Sequence, residues 1–291
     1  MDLLSWMRSY RRRRNPRPVG GPSRTSQAVA LTRSGLTRPH TPDGDPDAQR
    51  RLCAGMPAIS IPALVPSLAA RTRFFDGQVL TAIAAGVRQI VILGAGYDDR
   101  ALRFRSPDVT FFEIDHPATQ ADKASRLQAM NAGTGQHILA PADFRRDAVA
   151  AVLHGCGHDP GQKSLFLCEG LLVYLDEPAV VRLLAGLRAV AADHSVLAAS
   201  LATHPEGMDS ERVAAVANAS RRAGNSEPWR TIRPASAHLS LLGEAGWRAV
   251  DTVDAAQLDT DARPGRSLLV TATPTAPAAR PSLHPVARPA G

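Results

Sequence analysis

Two glycines one residue apart, Gly94 and Gly96, close the apolar run Gln89–Leu93. Without a Cβ, each lets the backbone turn tightly and approach a ligand closely. Asp115 lies 19 residues after Gly96, at the end of a second apolar run, Val109–Ile114. At that spacing an acid can accept both hydroxyls of a nucleoside ribose. A third run, His137–Ala140, leads to Asp143-Phe144, a carboxylate for an adenine amino group beside a ring that could lie against the base. A fourth, Leu165–Cys168, leads to Glu169-Gly170. Gly-x-Gly alone is a generic signal. Four successive apolar runs, each followed by a glycine or an acid, make a more specific one. Simpler roles stay open: the glycines could only end a strand, and Asp115 and Asp143 could cap helices beginning near Pro117 and Arg146. Glu169 is harder to dismiss, because a buried carboxylate without a partner is costly.

Those runs must be strands, and their spacing leaves room for helices between them. Phe74–Val87, Pro117–Met130, Arg146–Leu153 and Glu177–Ala192 have helical apolar spacing, and Ser195–Leu201 reads as a fifth strand. Alternating strands and helices give right-handed crossovers and a parallel sheet covered on both faces. Ligands of such a sheet bind at the carboxyl ends of its strands, where the glycines and acids fall. The end of the chain differs: a helix at Ser236–Ala245, then strands at Trp247–Val253 and Ser267–Thr273 joined by a loop, which predicts a closing antiparallel hairpin. The expected organisation is a domain over 25–273, with 25–62 and 203–240 covering the substrate. Residues 1–24 read as a disordered basic arm and 274–291 as a disordered tail.

The net charge of +7 suggests nucleic acid until it is located. The two terminal segments hold all of the excess, and residues 25–273 sum to −1. Aromatics make up 4% of the chain, leaving few platforms for stacking bases. No apolar run is long enough to span a bilayer, and the N-terminus lacks a secretory pattern, so a cytoplasmic enzyme without nucleic-acid partners is expected. The three cysteines (Cys53, Cys156, Cys168) have neither disulfide nor zinc spacing, and no metal is expected. Cys168, inside an apolar run, reads as a small buried hydrophobe.

Two cofactor classes share the first strand, the glycines and the ribose acid. A nicotinamide dinucleotide needs a third small residue three positions after the second glycine, for close helix–strand packing. Asp99 stands there, with Asp98 before it. Acids around the site suit a sulfonium nucleoside carrying an amino group better than a pyrophosphate. S-adenosyl-L-methionine is therefore the expected cofactor, and an NAD(P)-dependent oxidoreductase the alternative. A third possibility is a cofactor-binding regulatory module acting through the Arg-rich arm.

Several segments together resemble the leucine carboxyl methyltransferase family, which includes bacterial polyketide carboxyl O-methyltransferases of the tetracenomycin type. They are Gln89–Arg103, Phe112-Glu-Ile-Asp-His-Pro117 with Lys123 and Leu127, and Cys168-Glu-Gly-Leu-Leu-Val-Tyr-Leu175. Ala70-Arg-Thr72, Phe74-Phe-Asp76, Glu227-Pro-Trp-Arg230 and Ala245-Gly-Trp247 extend the likeness. The resemblance implies a Rossmann-like, class I methyltransferase fold with seven strands. It implies cofactor contacts at Arg71 (methionine carboxylate), Gly94, Asp115 (ribose), Asp143 and Phe144 (adenine) and Glu169 (near the amino group), to which the glycine turn itself adds Gly96. Phe144 stands where the family usually has Leu. Asp147-Ala148 replace a common Trp, and a family Lys near the N-terminus has no counterpart, since Lys123 and Lys163 are the only lysines. The implied reaction is O-methylation of a carboxylate on a small acid, such as a secondary metabolite. A carboxylate, with a pKa of about 4, is already ionised at neutral pH and needs no general base; a phenol, at about 10, would. His116 and His204 are tempting as bases, but each reads more readily as polar surface or a satisfied structural residue, and no convincing His or Lys base stands beside the cofactor motifs. Arg33, Arg38, Arg221 and Arg230 are placed to grip an anionic substrate or to lie on the surface.

Overall fold

The computed structural model describes residues 21–58, 65–133, 135–222, 227–258 and 266–275. Residues 1–20 of the basic arm and 276–291 of the tail lie outside the described residues, as do parts of both proposed covers. Arg24, read as the end of the arm, opens a helix (α1, Arg24–Arg33) capped by Ser23, whose side chain accepts from the Ser26 N–H. A short helix follows (α2, Ala48–Leu52), and then a 20-residue one (α3, Val65–Ala84). The sequence predicts this last helix only from Phe74. Its extra length includes Pro66, which is tolerated in a first turn where its missing N–H has no intrahelical partner.

The five predicted parallel strands are present as β1 (Gln89–Leu93), β2 (Thr110–Asp115), β3 (His137–Pro141), β4 (Ser164–Cys168) and β5 (Val196–Ala202). Between them run α4 (Arg100–Arg103), α5 (Pro117–Ala129), α6 (Val149–Gly155) and α7 (Glu177–Ala189). The covering segment after β5 contributes α8 (Ser210–Arg222), followed by α9 (Ala235–Glu244), β6 (Trp247–Asp254), α10 (Ala255–Leu258) and β7 (Ser267–Pro274). The connection between β6 and β7, expected as a plain loop, therefore carries one turn of helix. Spatial order is β3-β2-β1-β4-β5-β7-β6, with β7 antiparallel to both of its neighbours. This is the mostly parallel, seven-stranded sheet with an antiparallel end that the sequence predicts.

β1 and β4 are buried along their whole length, which is why they read as continuous apolar runs. Alternate residues serve opposite faces. Val91, Leu93, Phe112, Ile114, Phe166 and Cys168 pack with Val149 and Leu153 of α6 and with Leu183, Leu184 and Leu187 of α7. Ile90, Ile92, Phe111, Leu165 and Leu167 pack with Ala70, Phe75, Val79 and Ala82 of α3. Trp247, fully buried, donates its indole N–H to the Leu184 carbonyl (2.9 Å) and meets Phe166 edge-on. Reversal of strand order at β1 and β4 opens a crevice at their carboxyl ends, and the site lies there.

Candidate functional site: the cleft above β1, β2 and β4

A cleft of about 600 Å3 lies over the carboxyl ends of the strands, within the range of small-ligand sites. All seven residues assigned from the sequence line it: Arg71, Gly94, Gly96, Asp115, Asp143, Phe144 and Glu169. Gly94 and Gly96 have φ of +65° and +51°, in the left-handed region that favours glycine. A Cβ on Gly94 would fall 2.9 Å from Leu171 Cδ1, and one on Gly96 would fall 2.7 Å from Ser26 Cβ. The turn is thus required both by conformation and by close packing from above. It is anchored by the Gly94 and Ala95 N–H groups, which donate to the Ile114 carbonyl (2.8 and 3.2 Å).

Asp115 accepts from the Gly96 N–H (2.6 Å) and the His116 N–H (2.5 Å). It does not cap α5; His116 does, its Nδ1 accepting from the Ala118 N–H. Desolvation pushes the Asp115 carboxyl up to about 6, against the two backbone donors that pull it down. A half-buried acid with two N–H partners keeps lone pairs for hydroxyl donors from the cleft. Asp143 is differently placed. Arg145 binds it through Nε (3.0 Å) and Nη2 (3.1 Å), and these bonds hold its carboxyl below the usual range although burial acts the other way. The helix expected from Arg146 starts at Val149, so Asp143 caps no helix and closes an Asx turn instead. Phe144 is buried beside it.

The Glu169 side chain is buried, as the sequence suggests, and is far from unpartnered. Its Oε1 receives Arg71 Nε (2.9 Å) and Arg33 Nη2, and its Oε2 receives Arg100 Nη1 (2.7 Å). Burial alone would raise this carboxyl; the three guanidinium groups outweigh it and hold the acid well below the carboxylate range. The network continues inward. Arg100 binds Asp76 (2.7 Å) and Asp98 (2.6 Å), and Arg103 binds Asp76 (2.8 Å) and Asp99 (3.1 Å). Arg38 grips both oxygens of Asp99 at 2.8 Å. Five arginines (33, 38, 71, 100 and 103) thus meet four acids (Asp76, Asp98, Asp99 and Glu169). The acids that the sequence presents around the site do not make an anionic pocket. They position guanidinium groups, and Arg33 and Arg38 are buried partners of that network, neither surface residues nor free to take up a substrate. Beneath it, Lys123 pairs with the buried Glu113 and donates to the Asp98 carbonyl (2.6 Å), fixing the segment after the glycines.

Sequence reasoning did not find Asp76, Arg100 or Arg103 as site residues. Their signal was a charged run, Asp98-Asp-Arg100, in a stretch otherwise buried. Of the remaining candidates, Arg230 is exposed at the cleft, and His204 lies outside its lining with Nδ1 on the Pro205 carbonyl (2.8 Å). The side chain of Arg221 falls outside the described residues. Cys168 is fully buried and its thiol is pushed up to about 12 by that burial, as expected of an inert core residue.

A sequence model of leucine carboxyl methyltransferases matches residues 28–188, more than half of the chain. The chain belongs to the leucine carboxyl methyltransferase family. Curated relatives share the name "Putative S-adenosyl-L-methionine-dependent methyltransferase". One from Mycobacterium avium is 34% identical over 66% of this chain and 64% of its own length. Another, from Frankia alni, is 41% identical over 47% and 48%. A third, from Parafrankia, is 32% identical over 88% and 86%. The chain thus spans under two thirds of the first two relatives and most of the third. Two solved structures share the fold. A DUF574 family protein from Streptomyces avermitilis has a TM-score of 0.56 at 16% identity, covering 87% of this chain and 98% of that one. Magnesium protoporphyrin IX methyltransferase from Synechocystis, solved with bound SAH, has a TM-score of 0.52 at 13% identity, covering 79% and 94%.

Proposed function

We propose that the protein is an S-adenosyl-L-methionine-dependent methyltransferase that forms a methyl ester on a carboxylate of a small molecule, of the secondary-metabolite kind. One observation carries the cofactor half. A single cleft joins a left-handed glycine turn, an acid tied to that turn with lone pairs to spare, and an arginine-bound carboxylate at the next strand but one. That donor set fits a nucleoside linked to an amino acid: Asp115 for ribose hydroxyls, Phe144 and the Asp143 segment for the base, Arg71 for the α-carboxylate and Glu169 for the amino group. When bound, S-adenosyl-L-methionine supplies an activated methyl group on a positive sulfur. What the chain contributes is alignment and dryness, the main requirements of an in-line displacement. Residues of α1 and the apolar side chains of Leu171, Val173, Leu175, Leu201 and Trp229 line the cleft, which suits that task.

The acceptor half rests on chemistry. His116 is the one histidine among the described residues lining the cleft, and its Nδ1 is spent on capping α5. The Tyr174 phenol is pushed up by burial and makes a poor base at neutral pH. With its one histidine engaged in a cap and its phenol raised, the lining offers no neutral imidazole or lowered phenol to take a proton from a hydroxyl, which favours an acceptor that is already ionised. The test is incubation with a labelled methyl donor and a panel of small acids, followed by mild base. A base-labile label is expected. A base-stable label would refute the ester, and failure to bind S-adenosylhomocysteine would refute the cofactor. Among the described residues no helix is long and apolar enough to cross a membrane.

A further inference from the structure

We infer that the acceptor carries a second anionic group besides the carboxylate to be methylated, and that Arg230 and Arg266 hold it at the rim of the cleft. This rests on the reading of the cleft as a carboxyl methyltransferase site. Five arginines line that cleft: Arg33, Arg71, Arg145, Arg230 and Arg266. Three are committed to acids, Arg33 and Arg71 to Glu169 and Arg145 to Asp143. Arg230 and Arg266 are exposed, and among the described residues neither guanidinium has an acid or any other acceptor. Glu227 stands three residues before Arg230 and also lines the cleft. Its charge acts on the Asp115 carboxyl and on Arg145, which puts it on the ribose side.

The backbones beneath the two guanidinium groups are firmly held. The Arg230 and Thr231 N–H groups donate to the Val173 carbonyl (2.7 and 3.2 Å), and Thr231 Oγ1 donates to that of Leu175 (2.6 Å). The Arg233 N–H donates to the Ala202 carbonyl (3.2 Å), and the Thr203 N–H to the Arg266 carbonyl (3.1 Å). Three residues of chain, at most about 11 Å, and two strand spacings of about 5 Å each thus connect Arg230 to Arg266. Both side chains rise from one continuous stretch of rim at the tip of β5, two strands away from the glycine turn on β1. The reacting carboxylate must lie deeper, beside the amino-acid end of the cofactor at Glu169. Guanidinium groups at the rim therefore meet the far end of the acceptor, and their planar forks suit a carboxylate or a similar oxyanion. Methyl transfer forms a C–O bond at one carboxylate and breaks the donor's C–S bond, with no proton moved, so a dianionic acceptor becomes a monoanion. Reversed in the cleft, that product would offer the arginines an uncharged ester, so methylation should stop after one round.

The test titrates the full chain, saturated with S-adenosylhomocysteine, with octanoate against octanedioate and with benzoate against terephthalate. Labelled methyl transfer to the same four acids is followed in parallel, and thermal unfolding checks that each variant is folded. In at least one pair the diacid should bind at least about tenfold more tightly, as for a charged hydrogen bond, and should accumulate as its monoester. Arg230→Gln and Arg266→Gln should each narrow that preference about three- to tenfold. Arg230→Lys, which keeps a charge but not the fork, should narrow it less. Arg105→Gln removes an exposed arginine before β2, at the opposite end of the sheet, and should leave the preference intact. Equal affinities within both pairs, or a loss in Arg105→Gln as large as in the rim variants, would overturn the inference. Failure of every acid to bind or take label, with S-adenosylhomocysteine bound normally, would instead overturn the carboxyl-acceptor reading beneath it.

Discussion

If Asp115 receives the ribose hydroxyls, cofactor affinity must depend on pH near 6. In the free protein desolvation holds its carboxyl at about 6, against an ordinary 3.8. At 1.36 kcal/mol per unit, ionising it in place costs up to about 3 kcal/mol, less where solvent reaches the half-buried group. The sign follows from the raised value. The folded, ligand-free protein keeps this proton to higher pH than the unfolded chain does. The associated stability is full below about 4 and lost as pH rises towards 6. Two hydroxyl donors favour the carboxylate, so ligand binding should lower the pKa and release a proton. With a bound-state value near the ordinary one, affinity for S-adenosylhomocysteine should fall about tenfold between pH 7 and pH 5. Calorimetry in buffers of different ionisation enthalpy would register both the weakening and about half a proton released at pH 6. Asp115→Asn should bind more weakly at pH 7 and lose most of the dependence. A flat affinity between pH 5 and 7 in folded wild-type protein, or an equal slope in the variant, would refute the assignment.

Gly96→Ala should weaken the same ligand at least about tenfold, because its Cβ meets Ser26 Cβ at 2.7 Å. The left-handed backbone adds roughly 1–2 kcal/mol of strain, readable as a lower denaturant midpoint. Glu169→Gln leaves three guanidinium groups around a neutral amide. A loss of about 3–5 kcal/mol is expected by urea unfolding, and a change under about 1 kcal/mol would mean that the network relaxes freely. Trp247→Ala should cost about 3–5 kcal/mol, since a fully buried ring and its bond to Leu184 are lost together. Retention of the wild-type midpoint would place that ring outside the cooperative core.

The parallel half of the sheet was readable because β1 and β4 are buried on both faces and their sequences are correspondingly unbroken runs. Six of the seven cleft-lining residues singled out in the sequence were readable for a related reason, since each follows closely on such a run; Arg71, inside α3, came only from the family resemblance. Charge balance was harder to read. Arg33 and Arg38 stand in a segment rich in proline and polar residues, and only tertiary structure brings them to Asp98, Asp99 and Glu169. Sequence spacing sees the acids after each strand and the neighbouring Arg100 and Arg103, whereas Arg33 and Arg38 come from more than sixty residues away. The start of α3 was hidden by Pro66, and α6 was placed three residues early because Asp143 and Asp147 build a turn that resembles a helix start.

The position of β7 bears on how the protein is made. It leaves the ribosome after β5 and β6, yet it sits between them, and among the described residues β6 has no other neighbour in the sheet. Until residues 267–274 emerge, β5 presents an open row of backbone donors and acceptors, and β6 has nothing to pair with. An unpaired edge of that kind is a template for a stray strand, and long-range pairing of this sort forms slowly. A nascent chain therefore carries unpaired strand edges until residues 267–274 have emerged. Closure comes only when the latest-made segment inserts into the middle of an older one.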